Sequence, residues 1–251
     1  MRLTLLLLFF TTSLSAQIVN IEEMRIRGTN DSLRWYGALK GAFHVSKIKD
    51  QSLLMHGESQ VQYKHHKHIW LLLLNTNLLR AGEQNFVNAT FAHLRYNYKL
   101  RTPLSWEVYA QQQTNKLLLI KSRSLGGTGL RQRFFINKAQ NSRLYLGTSY
   151  LLEYNQYTEG TTAQYWHRMS NYLTVTLRNG RTGAMFQSTT YWQPVIGYIK
   201  KARLSTECSL ELPIGKHLRF SSDFAWSTDR SLPDAAPFQV YTWQNGVVWR
   251  L

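Results

Sequence analysis

His44 and Ser46 stand two residues apart, so on an extended chain both side chains point to the same face. With a carboxylate such as Glu58 or Asp50 to orient the imidazole, the pair would supply the base and nucleophile of an acyl hydrolase acting on lipid. No longer motif surrounds them, and a His and a Ser at this spacing arise often by chance, so hydrolysis is carried as the alternative reading. His65, His66 and His68 share a short basic run with Lys67 but have no Cys or carboxylate beside them, which reads as a solvated turn and not a metal site. Gly126, Gly127 and Gly129 precede a strand pattern and not a helix, so they are no phosphate loop. They suit a close approach of bulk from a neighbouring strand. The single cysteine, Cys208, shares its face with Leu204, Thr206, Leu210 and Leu212 and reads as a small hydrophobe, not a nucleophile. No catalytic, cofactor-binding or metal residue is assigned.

A larger set of charged residues falls on one face of successive extended segments. Arg95, Glu107, Arg131, Arg133, Glu153, Arg168, Glu58 and Glu207 make up its centre, with Arg34, Lys40, Lys201, Arg203 and Asp223 of the same parity. Enclosed by a sheet, such charges either pair as a hydrogen-bonded network or line a narrow path. Unpaired desolvated charge is costly, so a packed polar interior is the expectation, and if a path exists the arginine excess favours anions. Arginine suits this setting because its planar fork meets a carboxylate through two bonds.

The elements that must position these charges are strands. Ala92, Leu94, Tyr96, Tyr98 and Leu100 alternate with His93, Arg95, Asn97 and Lys99. After a break at Arg101-Thr102-Pro103, Leu104, Trp106, Val108 and Ala110 alternate with Ser105, Glu107, Tyr109 and Gln111. Leu130 and Phe134 then alternate with Arg131 and Arg133. This period of two gives each strand one apolar and one wet face. It extends through most of the chain and is lost at Leu71 to Leu74. The reading is all-β: a closed antiparallel transmembrane β-barrel of about twelve strands, within a range of roughly ten to fourteen. Greasy positions such as Leu94, Tyr96, Tyr98 and Trp106 are expected to face lipid. Connections near 65–68, 101–104, 137–142, 178–181 and 213–217 read as tight periplasmic turns, with Asn179-Gly180 as a hairpin signal. Those near 156–162, 193–200 and 227–238 read as longer outer loops.

Composition and the N-terminus agree with that class. Met1-Arg2, the apolar run from Leu3 to Phe10 and small residues before Gln17 form an export signal over 1–16, cut after Ala16 or after Ser15. A short segment, 17–31, separates it from the barrel at 32–251. The net charge of +16 would point to nucleic acid in a cytosolic protein, and export argues against that partner. Mean hydropathy of -0.34 excludes a helical membrane protein, while a barrel hides its apolar residues in alternate positions. The aromatic content, with 8 Trp, 14 Tyr and 11 Phe, fits interfacial girdles.

The segments Phe91-Ala-His-Leu-Arg-Tyr-Asn-Tyr-Lys99, Trp106-Glu-Val-Tyr-Ala-Gln-Gln112 and Ser124-Leu-Gly-Gly-Thr-Gly-Leu-Arg131 resemble the salt-induced outer-membrane protein family, domain of unknown function 481, in its Bacteroidota form. The resemblance runs over 32–251. It implies a Gram-negative outer-membrane β-barrel and carries no activity and no catalytic residues. The C-terminal strand is similar to the signal read by the barrel-assembly machinery, with Leu251 where such signals end in Phe. Outer-membrane lipid and lipopolysaccharide are the other implied partners, and the oligomeric state stays open. The function expected is a non-enzymatic outer-membrane barrel with a structural, stress-related or narrow-pore role. The alternatives are the His44/Ser46 lipid hydrolase and a secreted soluble β-barrel that binds a small ligand.

Overall fold

The computed structural model describes residues 34–47, 51–81, 84–137, 142–158, 163–215 and 217–249. The expected export signal, the 17–31 segment, Asp50 and Leu251 lie outside them. Twelve strands follow one another: β1 (Trp35–Lys47), β2 (Gln51–His65), β3 (His68–Ala81), β4 (Gln84–Arg101), β5 (Leu104–Asn115) and β6 (Ile120–Asn137). They continue with β7 (Ser142–Tyr157), β8 (Gln164–Arg178), β9 (Met185–Val195), β10 (Tyr198–Pro213), β11 (Leu218–Asp229) and β12 (Gln239–Trp249). All lie in one antiparallel sheet in chain order, β1 beside β2 through to β11 beside β12.

The sheet is strongly curled. Strands β6 and β11 are five places apart, which in a flat sheet is roughly 24 Å at about 4.8 Å per strand, yet Arg123 Nη2 of β6 lies 3.2 Å from Asp229 Oδ2 of β11. Ile120 of β6 belongs to a cluster, with Leu118 and Tyr157, that packs against Val240 of β12. Strands on opposite sides of the twelve-strand order thus bring their inner faces together.

The two faces are inverted relative to a soluble sheet. Leu39 (83%), Phe43 (79%) and Trp243 (67%) are among the exposed large hydrophobics, whereas Arg168, Glu153 and Asn97 are fully buried. Soluble proteins almost never bury Arg and Glu outright unless paired, and hide Leu and Phe. Leu94 and Trp106 of the 91–135 stretch point outward, and Arg95, Glu107 and Arg131 inward. The lost alternation at Leu71 to Leu74 also has a physical reason. Leu72 and Leu74 face out, while Leu71 and Leu73 face in and pack on Phe91, so β3 is apolar on both sides.

Two glycines set the shape of the interior. A Cβ at Gly127 would stand 2.5 Å from the Tyr109 ring, and one at Gly147 would collide with the ring of Tyr172. Tyr109 of β5 therefore lies flat over β6 and its hydroxyl meets Ser149 Oγ of β7 at 2.8 Å. Tyr172 of β8 lies over β7 and donates to Glu107 Oε2 of β5 at 2.9 Å. Gly127 thus has the close-approach role expected of this glycine group.

The connections differ from expectation in two places. The Asn179-Gly180 signal does not make a tight hairpin: residues 179–184 form a wider turn, closed by Asn179 N to Ala184 O and Gly183 N to Asn179 O. Asn179 Oδ1 accepts from the Arg181 and Thr182 amides, so the side chain replaces a hairpin bond. Conversely, 193–200 is not a long loop. β9 and β10 run on to a two-residue turn, Ile196-Gly197, where Gly197 takes φ +83°, which favours glycine. The 230–238 connection is long, as expected, and it folds inward: Ser231 and Ala236 are buried.

Gly147→Val should displace the Tyr172 ring and destabilise the folded chain by about 1–3 kcal/mol. The check is a lower urea midpoint for the detergent-folded protein, partly restored in Gly147→Val with Tyr172→Ala.

Candidate functional site: buried charge layers in the lumen

The upper layer forms where inward positions of β6, β7, β8, β10 and β11 converge. Arg203 grips Glu153 with both terminal nitrogens, Nη1 at 3.1 Å and Nη2 at 3.2 Å, while its Nε lies 2.9 Å from Asp229 Oδ2. Arg123 joins the same two carboxylates, at 3.8 Å from Glu153 and 3.2 Å from Asp229, and donates to Asn155 Oδ1. Asn155 in turn donates to Glu153 Oε1. Arg168 Nε stands 3.4 Å from Glu153 Oε1. Its terminal nitrogens donate to the Gln193 and Lys201 carbonyls and to Ser231 Oγ.

Ser231 ties the inward-folded loop to this layer. Its amide and hydroxyl both donate to Asp229 Oδ1, and its carbonyl accepts from the Tyr157 hydroxyl. Leu232 packs on the Leu118, Ile120 and Tyr157 cluster. The start of the 230–238 connection is thereby fastened to the inner face of β7, β8 and β11.

The lower layer centres on Glu107, which meets Arg95 Nη1 at 3.4 Å and accepts from Tyr172. Arg95 Nε donates to His93 Nε2 at 3.3 Å, which makes His93 an acceptor there and leaves Nδ1 as donor to Gln111 Oε1. The Arg131 guanidinium lies face-on over Tyr145, 3.7 Å from its centroid.

Of the residues singled out from sequence, the structure brings Arg95 to Glu107 and Arg168 to Glu153. Arg131 is buried on Tyr145, Arg133 and Glu207 are half-buried, and Glu58 pairs with Lys40 at 3.0 Å on the more open side near β1. Arg34, Lys40, Lys201 and Asp223 are exposed. Lys201 lies over the Trp166 ring. Arg123, Asp229 and Ser231 were not anticipated. Arg123 continues the inward parity of Leu125, Gly127, Gly129 and Arg131, a signal obscured by a register shift between Ile120 and Ser122. Asp229 shares parity with Ala225 and was hidden in what read as loop.

Among the described residues no carboxylate is brought to His44 or Ser46. His44 is exposed, Ser46 Oγ bonds Ser52 Oγ at 2.6 Å, and Glu58 sits opposite Lys40, four residues along β1 from His44. At the β2–β3 turn His66 takes φ +51°, and partial desolvation with neighbouring His66, Arg34 and His68 lowers the His65 pKa. Cys208 is half-buried on the outer face beside Ser188 Oγ.

A curled twelve-stranded meander with an apolar exterior and an ionised interior defines a polar-lumen β-sheet protein. The chain belongs to the family described as protein of unknown function, DUF481, whose model matches residues 51–238. The three segments that carried the resemblance lie inside that range. Among solved structures the chain is similar to the NanC porin in a rhombohedral crystal form, at 12% identity and a TM-score of 0.48, over 86% of this chain and 99% of that one. No curated protein matches.

Arg203→Ala would leave Glu153 and Asp229 short of their principal partner, with an expected loss of about 3–5 kcal/mol. Urea unfolding of the detergent-folded protein measures it. A double-mutant cycle with Asp229→Ala should give a coupling of at least about 1 kcal/mol.

Proposed function

We propose that this chain is a non-enzymatic outer-membrane β-barrel, closed between β1 and β12, whose lumen is held nearly shut by its own ion layers. One observation carries the reading: large apolar side chains stand exposed on the outer face while Arg168 and Glu153 are fully buried on the inner one. Lipid rewards the first and an enclosed polar lumen requires the second. Strand length supports it, since the shortest strands, β9 and β12, have 11 residues, enough to cross a bilayer core when tilted. In this reading the outer partners are lipid and lipopolysaccharide, and β12 is the strand presented to the barrel-assembly machinery.

Three arginines and two carboxylates, with the 230–238 loop latched over them through Ser231, favour a structural or narrow-pore role over an open porin. Among the described residues the lipid-hydrolase reading has Ser46 bonded to Ser52 and no carboxylate at His44, and a soluble ligand-binding barrel would not expose Leu39 and Phe43 to water.

Membrane fractionation and a heat-dependent gel shift test the barrel, and recovery in the soluble fraction without detergent overturns it. In planar bilayers the wild-type chain should conduct far less than an open pore of equal strand number. Arg168→Ala with Ser231→Ala, which unlatches the loop, should raise conductance several-fold. An open wild-type channel unaffected by that pair would refute the occluded lumen. Ser46→Ala should leave lipid turnover in isolated membranes unchanged.

A further inference from the structure

We propose that the end of the sheet carrying the β2–β3 and β4–β5 turns is a docking surface for anionic phospholipid headgroups, centred on His66, Lys67 and Arg101 beside an aromatic band on the outer face. The inference rests on the reading of the chain as an outer-membrane barrel, in which these tight turns face the periplasm and its phospholipid leaflet.

Charge is divided between the two ends of the sheet. In a meander alternate connections share an end, so β2–β3, β4–β5, β6–β7, β8–β9 and β10–β11 belong to one. The residues between those strands include no Asp or Glu, and each connection holds or adjoins a Lys or Arg: Lys67, Arg101, Lys138, Arg181 and Lys216. Asp50, Glu83, Glu159 and Asp234, the acidic residues that stand between strands, all belong to connections of the other end. Lys67, Arg101 and Arg181 are exposed. An anionic surface is the complement of so uniformly basic an end.

The rings decide which anionic surface it is. On the outer face Trp35 packs on Tyr63 with centroids 4.5 Å apart, Trp70 on Tyr96 at 4.6 Å and Tyr96 on Trp106 at 6.3 Å. Tyr63 is the register partner of Trp70, so these rings form one band across β1 to β5. The band is tied to the basic turn. His68 Nδ1 bonds the Tyr96 hydroxyl at 2.7 Å, Tyr63 stacks on His65 at 6.3 Å, and His65 meets His66 edge-on at 4.2 Å. His66 takes φ +51° at the tip, and the Lys67 carbonyl accepts from the Lys99 amide at 2.8 Å, which sets this turn beside the strand that ends in Arg101. Trp and Tyr rings settle at the boundary between hydrocarbon and headgroup. Lys67 stands three residues beyond Trp70, roughly 10 Å along an extended chain and about 7 Å of depth at a tilt of about 45°. Headgroups add roughly 5–8 Å on each side of the hydrocarbon. With the rings at the boundary, the cations come level with lipid phosphates, whereas an acidic protein or glycan bound from the aqueous side would leave the band without a role.

The full chain is folded in detergent and verified by the heat-dependent gel shift, so that loss of the shift counts against the barrel and an intact shift leaves only the site under test. Native mass spectrometry then measures retention of phosphatidylglycerol against phosphatidylcholine of matched acyl chains. Phosphatidylglycerol should be retained about tenfold more strongly, and His66→Gln with Lys67→Gln and Arg101→Gln should cut that preference to about twofold. Lys67→Glu alone is the deciding variant if the triple one does not fold, with an expected drop of about threefold. Lys121→Gln with Lys200→Gln, exposed at the opposite end, should leave the preference unchanged. Equal retention of the two lipids overturns the proposal, as does a preference that the turn variants leave intact or that the opposite-end pair lowers equally. Stronger retention of lipid A than of phosphatidylglycerol would assign the surface to the outer leaflet, and binding of polyglutamate in place of phosphatidylglycerol would assign it to an acidic protein; either result overturns the proposal.

Discussion

The fork of Arg203 joins the two carboxylates on which the interior depends. Glu153 on β7 and Asp229 on β11 are four strands apart, and only a sheet that curls back on itself lets one guanidinium hold both. Without the arginines each carboxylate would be an uncompensated buried charge. Together with Arg123, Arg168 and Arg203 they form a closed set in which each charge has an opposite neighbour. The curvature of the sheet and the pairing of the ions therefore specify each other. A flatter sheet would separate the partners, and a missing partner would remove the reason for strands so distant in sequence to converge.

From that layer the structure extends in two directions. Upward, Asp229 and Arg168 reach Ser231 and turn a long connection into part of the packed interior. Downward, Tyr172 carries a hydrogen bond from β8 to Glu107 on β5, and Glu107 positions Arg95 against His93. The outer face takes no part in these networks. It has its own cross-strand bonds, such as Trp106 Nε1 to Thr128 Oγ1 and Thr148 Oγ1 to Asn171 Oδ1, set among large apolar side chains.

Much of this was legible from the alternation alone. A period of two identifies faces without reference to partners, so the inward placement of Arg95, Glu107, Glu153 and Arg168 followed from parity. What parity cannot supply is the distance between strands. The contacts of Glu153 with Arg203 and of Arg123 with Asp229 span 50 and 106 residues. Register shifts also interrupt parity, as at Ile120 to Ser122 ahead of Arg123, and at Arg133 to Phe135, beyond which Phe134 and Phe135 are both exposed. Asn179-Gly180 predicts a two-residue hairpin, and a side-chain cap from Asn179 Oδ1 replaces it with a wider turn. The family resemblance added the class of protein and no chemistry, so the sites rest on the residues themselves.

The two tyrosines that lie over Gly127 and Gly147 run in opposite senses, one from β5 across to β7 and the other from β8 back to β5. Crossed struts of this kind resist shear between neighbouring staves, since any sliding that relaxes one lengthens the other. Strands β5 to β8 thus behave as a stiff panel. Strand β1, exposed along nearly its whole length on both faces, has no such bracing among the described residues. Side-chain bonds that reach past the nearest neighbouring strand thus gather on the charged panel, whereas β1 is held by its backbone ladder to β2 and by pairs such as Lys40 with Glu58.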